Sequence, residues 1–386
     1  MRNRLSKTIQ EIPPSGIRKY FDLASTMENV ISLGVGEPDF VTPWSIREAS
    51  ISTMERGYTT YTSNSGLPEL RYEIGKYLAE FFQVHYDDKK EMIVTVGASE
   101  AIDIALRAIL DPGDEVLIIE PCYVSYDPTV KLAGGVPVSV TTDMSTKFKI
   151  TADILREKIT SKSKAIIFCY PNNPTGATMT KEDWLPIIEL IKEHDLIVLS
   201  DEIYGELSYD QHHFSAASLP GMKDRTILIS GFSKAFAMTG WRIGYACGPE
   251  DIIQAMLKIH QYTMLCAPIM GQWAAVEALR NGQKAKDDMV ASYRQRRNYV
   301  TKMFNQIGLE CLMPEGAFYA FPSITATGLT ADQFAEQLIK EAQVAVVPGD
   351  VFGIGGKGHI RCSYATSMEN LEKAIERMGK FVQQYK

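Results

Sequence analysis

A chain of 386 residues, 45% hydrophobic and 23% charged, has an ordinary globular composition. It is longer than a single core usually grows, so two domains are expected. A net charge of -7 gives no electrostatic footprint for nucleic acid or an anionic membrane, and no apolar run approaches the ~20 residues of a membrane span.

The opening segment MRNRLSKTIQEIPPSGIRKY is charged and has no signal-like apolar stretch. It does carry Ile9, Ile12, Ile17, Tyr20 and Phe21, a set suited to packing on a partner as well as on its own domain. Arg18, Lys19 and Tyr20 in SGIRKYFD are candidates for a pocket mouth. From about residue 90 to 250, strand-like and helix-like segments alternate. MIVTV (92–96) is a β-rich run, and GASEAIDIALRAIL then sets Ile102, Leu106, Ile109 and Leu110 on one helical face. Asp111-Pro112-Gly113-Asp114 closes that helix as a turn. EVLIIE, KAIIFCY (164–170), LIVLSDEIY, RTILIS and IGYACG follow as nearly continuous apolar runs. Such runs suit strands covered on both faces, as in a parallel α/β sheet.

The C-terminal part differs. Helical stretches at 283–306 and 367–383 surround GAFYAFPSI, VAVVP and HIRCSYA, and Leu371, Ile375, Met378 and Val382 share one face of the last helix. This predicts a smaller α+β domain over 283–386, a large domain over 46–282, and a segment 1–45 that packs with the small one. The cysteines at 122, 169, 247, 266, 311 and 362 form no CxxC pair. They read as reduced thiols, and the cytoplasm is the expected location. The histidines show no metal spacing, so no metal is expected; His212-His213 in YDQHHFS reads as a solvated loop.

Four constellations carry chemistry, each with a bland alternative. In TVGASEAI a strand ends, Gly97 turns the chain and a helix begins near Ala98-Ser99; its free N–H groups make an anion site, with Ser99 also a candidate N-cap. YPNNPTGAT (170–178) makes a rigid turn, and an Asn on it can donate to a phenolate oxygen. In LIVLSDEIYGEL, Asp201 follows a strand, where doubly wound sheets place functional groups. It can pair with a protonated ring nitrogen within reach of Tyr204, or act as a helix N-cap. In SGFSKAFAMTGWRIGY, Ser230, Ser233 and Lys234 end a strand with Arg242 eight residues after the lysine. Such a lysine can form a Schiff base with an aldehyde cofactor while hydroxyls and a guanidinium hold a phosphate. A surface lysine in a loop is the alternative.

Taken together with LGVGEPDF, YTSNSGLPELR, GAFYAFP and HIRCSYA, these segments resemble the fold-type-I pyridoxal-phosphate (PLP) enzymes, in the class I aminotransferase branch, over essentially the whole chain. The nearest likeness is to aminotransferases of aspartate, aromatic and N-acetyl-diaminopimelate type. The resemblance implies an α/β large domain with a mostly parallel seven-stranded sheet flanked by helices, plus the smaller α+β domain. It implies amino-group transfer from an L-amino acid to a 2-oxo acid by a ping-pong route, and a cytoplasmic homodimer. Residue by residue, it implies that Lys234 carries the cofactor and shuttles the proton, and that Asp201 pairs with the pyridine nitrogen. Asn173 and Tyr204 meet the phenolic oxygen, and Tyr123 stacks on the ring. Ala98, Ser99, Ser233 and Arg242 hold the phosphate, joined by Tyr61 from the partner subunit. Gly36, Asn173 and Arg361 hold the substrate.

Two departures stand out. Gly231 lies where many relatives have serine, and Tyr123 where many have tryptophan. A C–S β-lyase of the same fold is the alternative activity. A dinucleotide oxidoreductase is disfavoured: Gly353-Ile354-Gly355-Gly356-Lys357-Gly358 matches GxGxxG, but β-like HIRCSYA follows instead of a helix, which reads as a flexible surface loop. A transcription factor with an aminotransferase-like domain needs a DNA-binding domain, for which motifs starting by residue 33 leave no room.

Overall fold

The computed structural model describes residues 4–14, 16, 17, 19, 20, 27 and 29–385. Arg18 and Phe21, singled out above, lie outside them. After β1 (Ile31–Ser32), the chain builds a seven-stranded sheet from β2 (Met92–Thr95), β3 (Glu115–Glu120), β4 (Val136–Thr141), β5 (Ser163–Cys169), β6 (Ile197–Asp201), β7 (Thr226–Gly231) and β8 (Gly244–Cys247). The spatial order is β2-β8-β7-β6-β5-β3-β4. All strands run parallel except β8, which is antiparallel to both neighbours.

Alternation along each strand explains the continuous apolar runs. In β5, Ile166 and Phe168 join the core under the helix Lys181–Glu193, while Ala165, Ile167 and Cys169 face the core under the helices Gly97–Ile109 and Glu250–Thr263. Both faces of the sheet are thus covered by helices. The edge strand β4 was not among the runs read from the sequence. It carries Pro137 and is only partly buried, so no unbroken apolar segment marks it.

A second core lies in the C-terminal part, where β9 (Tyr319–Ala320), β11 (Val347–Pro348) and β12 (Ile360–Ser363) form an antiparallel sheet in the order β11-β12-β9. The helix Gln283–Ile307 ends where Gly308 takes a left-handed φ of 91°. In the last helix, Met368–Val382, Leu371, Ile375, Met378 and Val382 are all buried, as their spacing predicts. β1 pairs in parallel with β10 (Val344–Ala345), so the chain reaches Gly34 and Gly36 from this second core.

The glycine-rich stretch 353–358 is a packed corner, not the flexible surface loop expected. A Cβ on Gly355 would lie 2.3 Å from the Thr142 carbonyl oxygen, and the Ile354 N–H donates to Glu120 Oε2 at 2.9 Å. β12 follows it, with no helix.

Candidate active site

The parallel strands all end at one edge of the sheet, where doubly wound folds gather their functional groups. β6 ends on Asp201, β5 leads into Asn173, β3 into Tyr123 and β2 into the helix Gly97–Ile109. β7 leads to Ser233 and Lys234. β8 runs the other way, so the residue that reaches this edge, Arg242, precedes the strand. The result is a cavity of about 330 Å³ lined by Gly36, Ala98, Ser99, Tyr123, Asn173, Asp201, Tyr204, Ser233, Lys234, Arg242 and Arg361. Of the twelve site residues read from the sequence, only Tyr61 is absent from this wall; it is 80% exposed on the subunit surface.

The electrostatics are lopsided. Among the described residues Asp201 is the one acidic side chain on the wall, against Lys234, Arg242 and Arg361. Among the described residues none of the three cations makes a salt bridge. Arg361 is 3% exposed. Its guanidinium donates to Asn173 Oδ1 at 2.9 Å and to the Gly34 carbonyl at 2.7 Å, both neutral, and its Nε has no partner among the described residues. Tyr319 and Phe352 stack on it at 4.5 and 4.8 Å. A buried cation with only neutral acceptors is a binding element for an anion.

Burial pulls the Lys234 ammonium down to about 8, against the opposing pull of Glu37. Its Nζ donates to the Gly36 carbonyl at 2.6 Å. An amine that sheds its proton so easily is a nucleophile and a base near neutral pH. Burial pushes the Asp201 carboxyl up to about 6, although Oδ2 accepts from the Tyr126 hydroxyl at 2.7 Å and Oδ1 from the Ile203 N–H at 3.2 Å. A cation placed against Asp201 would restore its charge. Asp201 caps a turn here, not a helix. The Tyr204 hydroxyl meets that of Tyr319 at 2.9 Å.

At the other end of the cavity the wall is backbone. The helix Gly97–Ile109 starts from Val96, which caps it with no side chain, so the N-cap is not Ser99. Gly97 has φ 77°, and a Cβ there would lie 2.6 Å from an Arg242 nitrogen. A Cβ on Gly244 would lie 2.4 Å from the Ala98 amide nitrogen. Helix N–H groups, Arg242 and the Ser233 hydroxyl thus converge on one cup, as a phosphate requires. Ser230 turns away, its hydroxyl donating to the Glu202 carbonyl at 3.3 Å. Gly231 has no room for a side chain, since its Cβ would sit 2.9 Å from Gly244 Cα.

The Asn pair divides its labour. Asn172 holds the turn, accepting from the Thr175 N–H at 3.0 Å and donating to the Pro121 carbonyl at 3.2 Å, while Asn173 faces the cavity. Lys19 and Tyr20 are not at the mouth. They bind Glu336 and Asp332, and it is Ile17 that lines the cavity. Tyr126, Tyr319, Ile102 and Thr239 also line it and were missed; Tyr319, Ile102 and Thr239 carried a signal from their places in GAFYAFP, TVGASEAI and SGFSKAFAMTGWRIGY. Nor is His213 solvated: its Nε2 lies 2.8 Å from Glu202 Oε2 with both side chains buried.

Residues 28–378 match the family model of the class I and II aminotransferases. The Bacillus subtilis (strain 168) protein YugH is 58% identical over 382 residues, covering 99% of both chains. An aspartate aminotransferase of Pyrococcus abyssi (strain GE5 / Orsay) is 46% identical over 385 residues, again covering 99% of each. The solved aromatic aminotransferase of Pyrococcus horikoshii OT3 superposes with a TM-score of 0.91 at 45% identity, over 95% of this chain and 99% of that one. The chain belongs to the class I and II aminotransferases. It is an enzyme that transfers amino groups between amino acids and 2-oxo acids, with pyridoxal phosphate as cofactor. The cavity fits that cofactor: a backbone cup for a phosphate, a low-pKa lysine for an aldehyde, and a buried carboxylate for a ring nitrogen.

Proposed function

We propose that the enzyme takes the amino group of an L-amino acid with an aromatic or acidic side chain and passes it to a 2-oxo acid such as 2-oxoglutarate. The observation that carries this is the convergence of three unpaired cations and one buried carboxylate on a single cavity. That charge pattern suits a phosphorylated cofactor together with a substrate carboxylate. The relatives' names, aspartate and aromatic aminotransferase, supply the side-chain classes. With Arg242 engaged by phosphate, Arg361 by the α-carboxylate and Lys234 by the cofactor and its proton, no cation on this wall is left for a second carboxylate. This favours aromatic donors for the site one chain supplies.

In this reading Arg242, Ser233 and the amides of Ala98 and Ser99 hold the phosphate. Asp201 faces the ring nitrogen, Asn173 and Tyr204 the phenolic oxygen, and Tyr123 a ring face. Bound pyridoxal phosphate supplies an aldehyde for the substrate amine and a ring that accepts the electron pair left at Cα. Arg361, with Gly36 and Asn173, fixes the α-carboxylate, which turns the Cα–H bond toward Lys234. Lys234 Nζ, poised to lose its proton near pH 8, takes that proton and delivers it to the cofactor side.

We also infer a homodimer in which Tyr61 reaches the neighbouring subunit's phosphate. Its exposure, and that of Tyr262 and Met264 on a segment joined to it where Asn64 Nδ2 donates to the Leu265 carbonyl at 2.7 Å, supports a covered surface there. We divide the chain into 46–282, 283–386 and an N-terminal segment that packs with the latter, a division supported by the β1–β10 pairing. The cytoplasm is the proposed location, supported by six unpaired cysteines.

A panel of amino donors with 2-oxoglutarate tests the reading. Aromatic donors should turn over fastest, and Lys234→Ala should abolish transfer while the protein still binds some cofactor. Pyruvate released without an acceptor acid would instead favour the lyase, and wild-type-like transfer by Lys234→Ala would remove the lysine from its role.

A further inference from the structure

Two of the proposed cofactor contacts, Asp201 and Tyr204, stand on one short turn at the end of β6. Between them sits Glu202. Side chains alternate across a strand, so Asp201 looks into the cavity while Ser200 and Glu202 point to the far side of the sheet. Glu202 is 5% exposed, and a carboxylate so deeply buried needs partners. It has three. Oε1 accepts from the hydroxyls of Ser200 at 2.8 Å and Ser215 at 2.9 Å, and Oε2 lies 2.8 Å from His213 Nε2.

Its backbone is tied as well. The Glu202 N–H donates to the Ile229 carbonyl at 2.8 Å. Its own carbonyl accepts from the Gly205 N–H at 2.8 Å and from the Ser230 hydroxyl at 3.3 Å. The two bonds to Ile229 and Ser230 join the turn to the end of β7, which carries Lys234 four residues on. His213 packs against the same turn from outside: a Cβ on Gly205 would lie 2.9 Å from its ring, and Phe82 meets the ring edge at 5.4 Å. No atom of this cluster lines the active-site cavity.

We propose that Glu202, clamped by His213, Ser200 and Ser215, is the positioning residue that fixes Asp201 and Tyr204 against the cofactor and keeps them in register with Lys234. The proposal rests on the reading of Asp201 and Tyr204 as cofactor contacts. Glu202 touches neither substrate nor cofactor. It acts by holding a turn whose other side must match a rigid ring to within a fraction of an ångström.

The test compares Glu202→Ala, Glu202→Gln, Ser215→Ala and Asp201→Asn as purified holoenzymes. The readouts are the rate of pyridoxal phosphate release on dialysis, the visible absorption band, kcat and KM separately, and the Tm gained by cofactor loading. Glu202→Ala should release cofactor about tenfold faster, shift the band and lower kcat about tenfold or more with KM within about twofold. It should also shrink the Tm gain on loading, beyond any common fall in both forms. Glu202→Gln keeps one oxygen for both serines and an N–H for His213, and should restore release rate and kcat to within about threefold. Ser215→Ala, a milder cut for use if Glu202→Ala does not fold, should move the same readouts in the same direction. Equal Tm losses with and without cofactor and an unchanged band would overturn the proposal, and so would a Glu202→Gln as poor as Glu202→Ala. If Asp201→Asn itself leaves release and spectrum unchanged, the fault lies with the underlying reading of the site.

Discussion

Arg361→Ala is expected to lower kcat/KM for every amino donor while leaving the ligand-free enzyme nearly as stable as the wild type. The guanidinium has two hydrogen bonds, both to neutral oxygens, and lies between two aromatic rings. Deleting it gives up those contacts, roughly 1–3 kcal/mol in sum. It also removes a buried charge with no counter-ion, whose desolvation costs several kcal/mol. The two effects offset, so Tm should move by no more than about 3 °C. Against a substrate carboxylate nothing offsets the loss. A charged, forked pair is worth about 2–4 kcal/mol, which is roughly a 30- to 1000-fold fall in kcat/KM. Arg361→Lys should recover only part of it, because an ammonium cannot hold both carboxylate oxygens while bridging Asn173 and Gly34. Steady-state kinetics with an acidic, an aromatic and an aliphatic donor, beside calorimetry, check this. A loss confined to one donor class would make Arg361 a reader of the side chain, and a large Tm drop with intact kinetics would make it structural.

Asp201 yields a pH test on cofactor-free protein. Burial holds its carboxyl near 6 against an ordinary 3.8, so the folded state binds a proton that the unfolded chain has released. The stability this proton confers is lost as pH rises through that window. Asp201→Asn should therefore gain on wild type by up to roughly 3 kcal/mol between about pH 4 and pH 7, seen as a widening Tm difference; a constant difference refutes the burial argument. Tyr61→Ala should weaken cofactor binding without unfolding the subunit. Its hybrids with Lys234→Ala should regain activity above either parent, whereas no gain despite proven subunit exchange would sink the shared site.

The legibility of the chain follows from burial. β3 runs over the residues of EVLIIE because a strand covered on both faces needs an unbroken apolar run, and the same reasoning blinded the reading to β4 at the exposed edge. The site residues were visible because turns after parallel strands concentrate Gly, Pro, Asn and charge, as in YPNNPTG and FSKAF. Contacts made only in three dimensions were not. Tyr126 meets Asp201 from 75 residues away, and His213 meets Glu202 around a turn that looked solvated. Nothing in the spacing of either pair encodes the meeting. The glycine-rich stretch misled for a related reason: Gly353 and Gly355 answer a packing demand from Glu120 and Thr142, at the ends of β3 and β4 and more than two hundred residues upstream.

The glycine pair at positions 97 and 244 has a bearing on how this enzyme can change. The floor of the cup they shape is main chain, with the Arg242 and Ser233 side chains beside it, and neither position admits even a methyl group. Elsewhere on the wall, Ile17 and Ile102 contribute side chains given no part in holding the cofactor, and these can be exchanged one residue at a time. Diversification aimed at new donors therefore belongs at such positions, and a library that spares 95–99, 231–244 and the proposed ring contacts is expected to keep its members loaded with cofactor while their appetite for amino acids drifts.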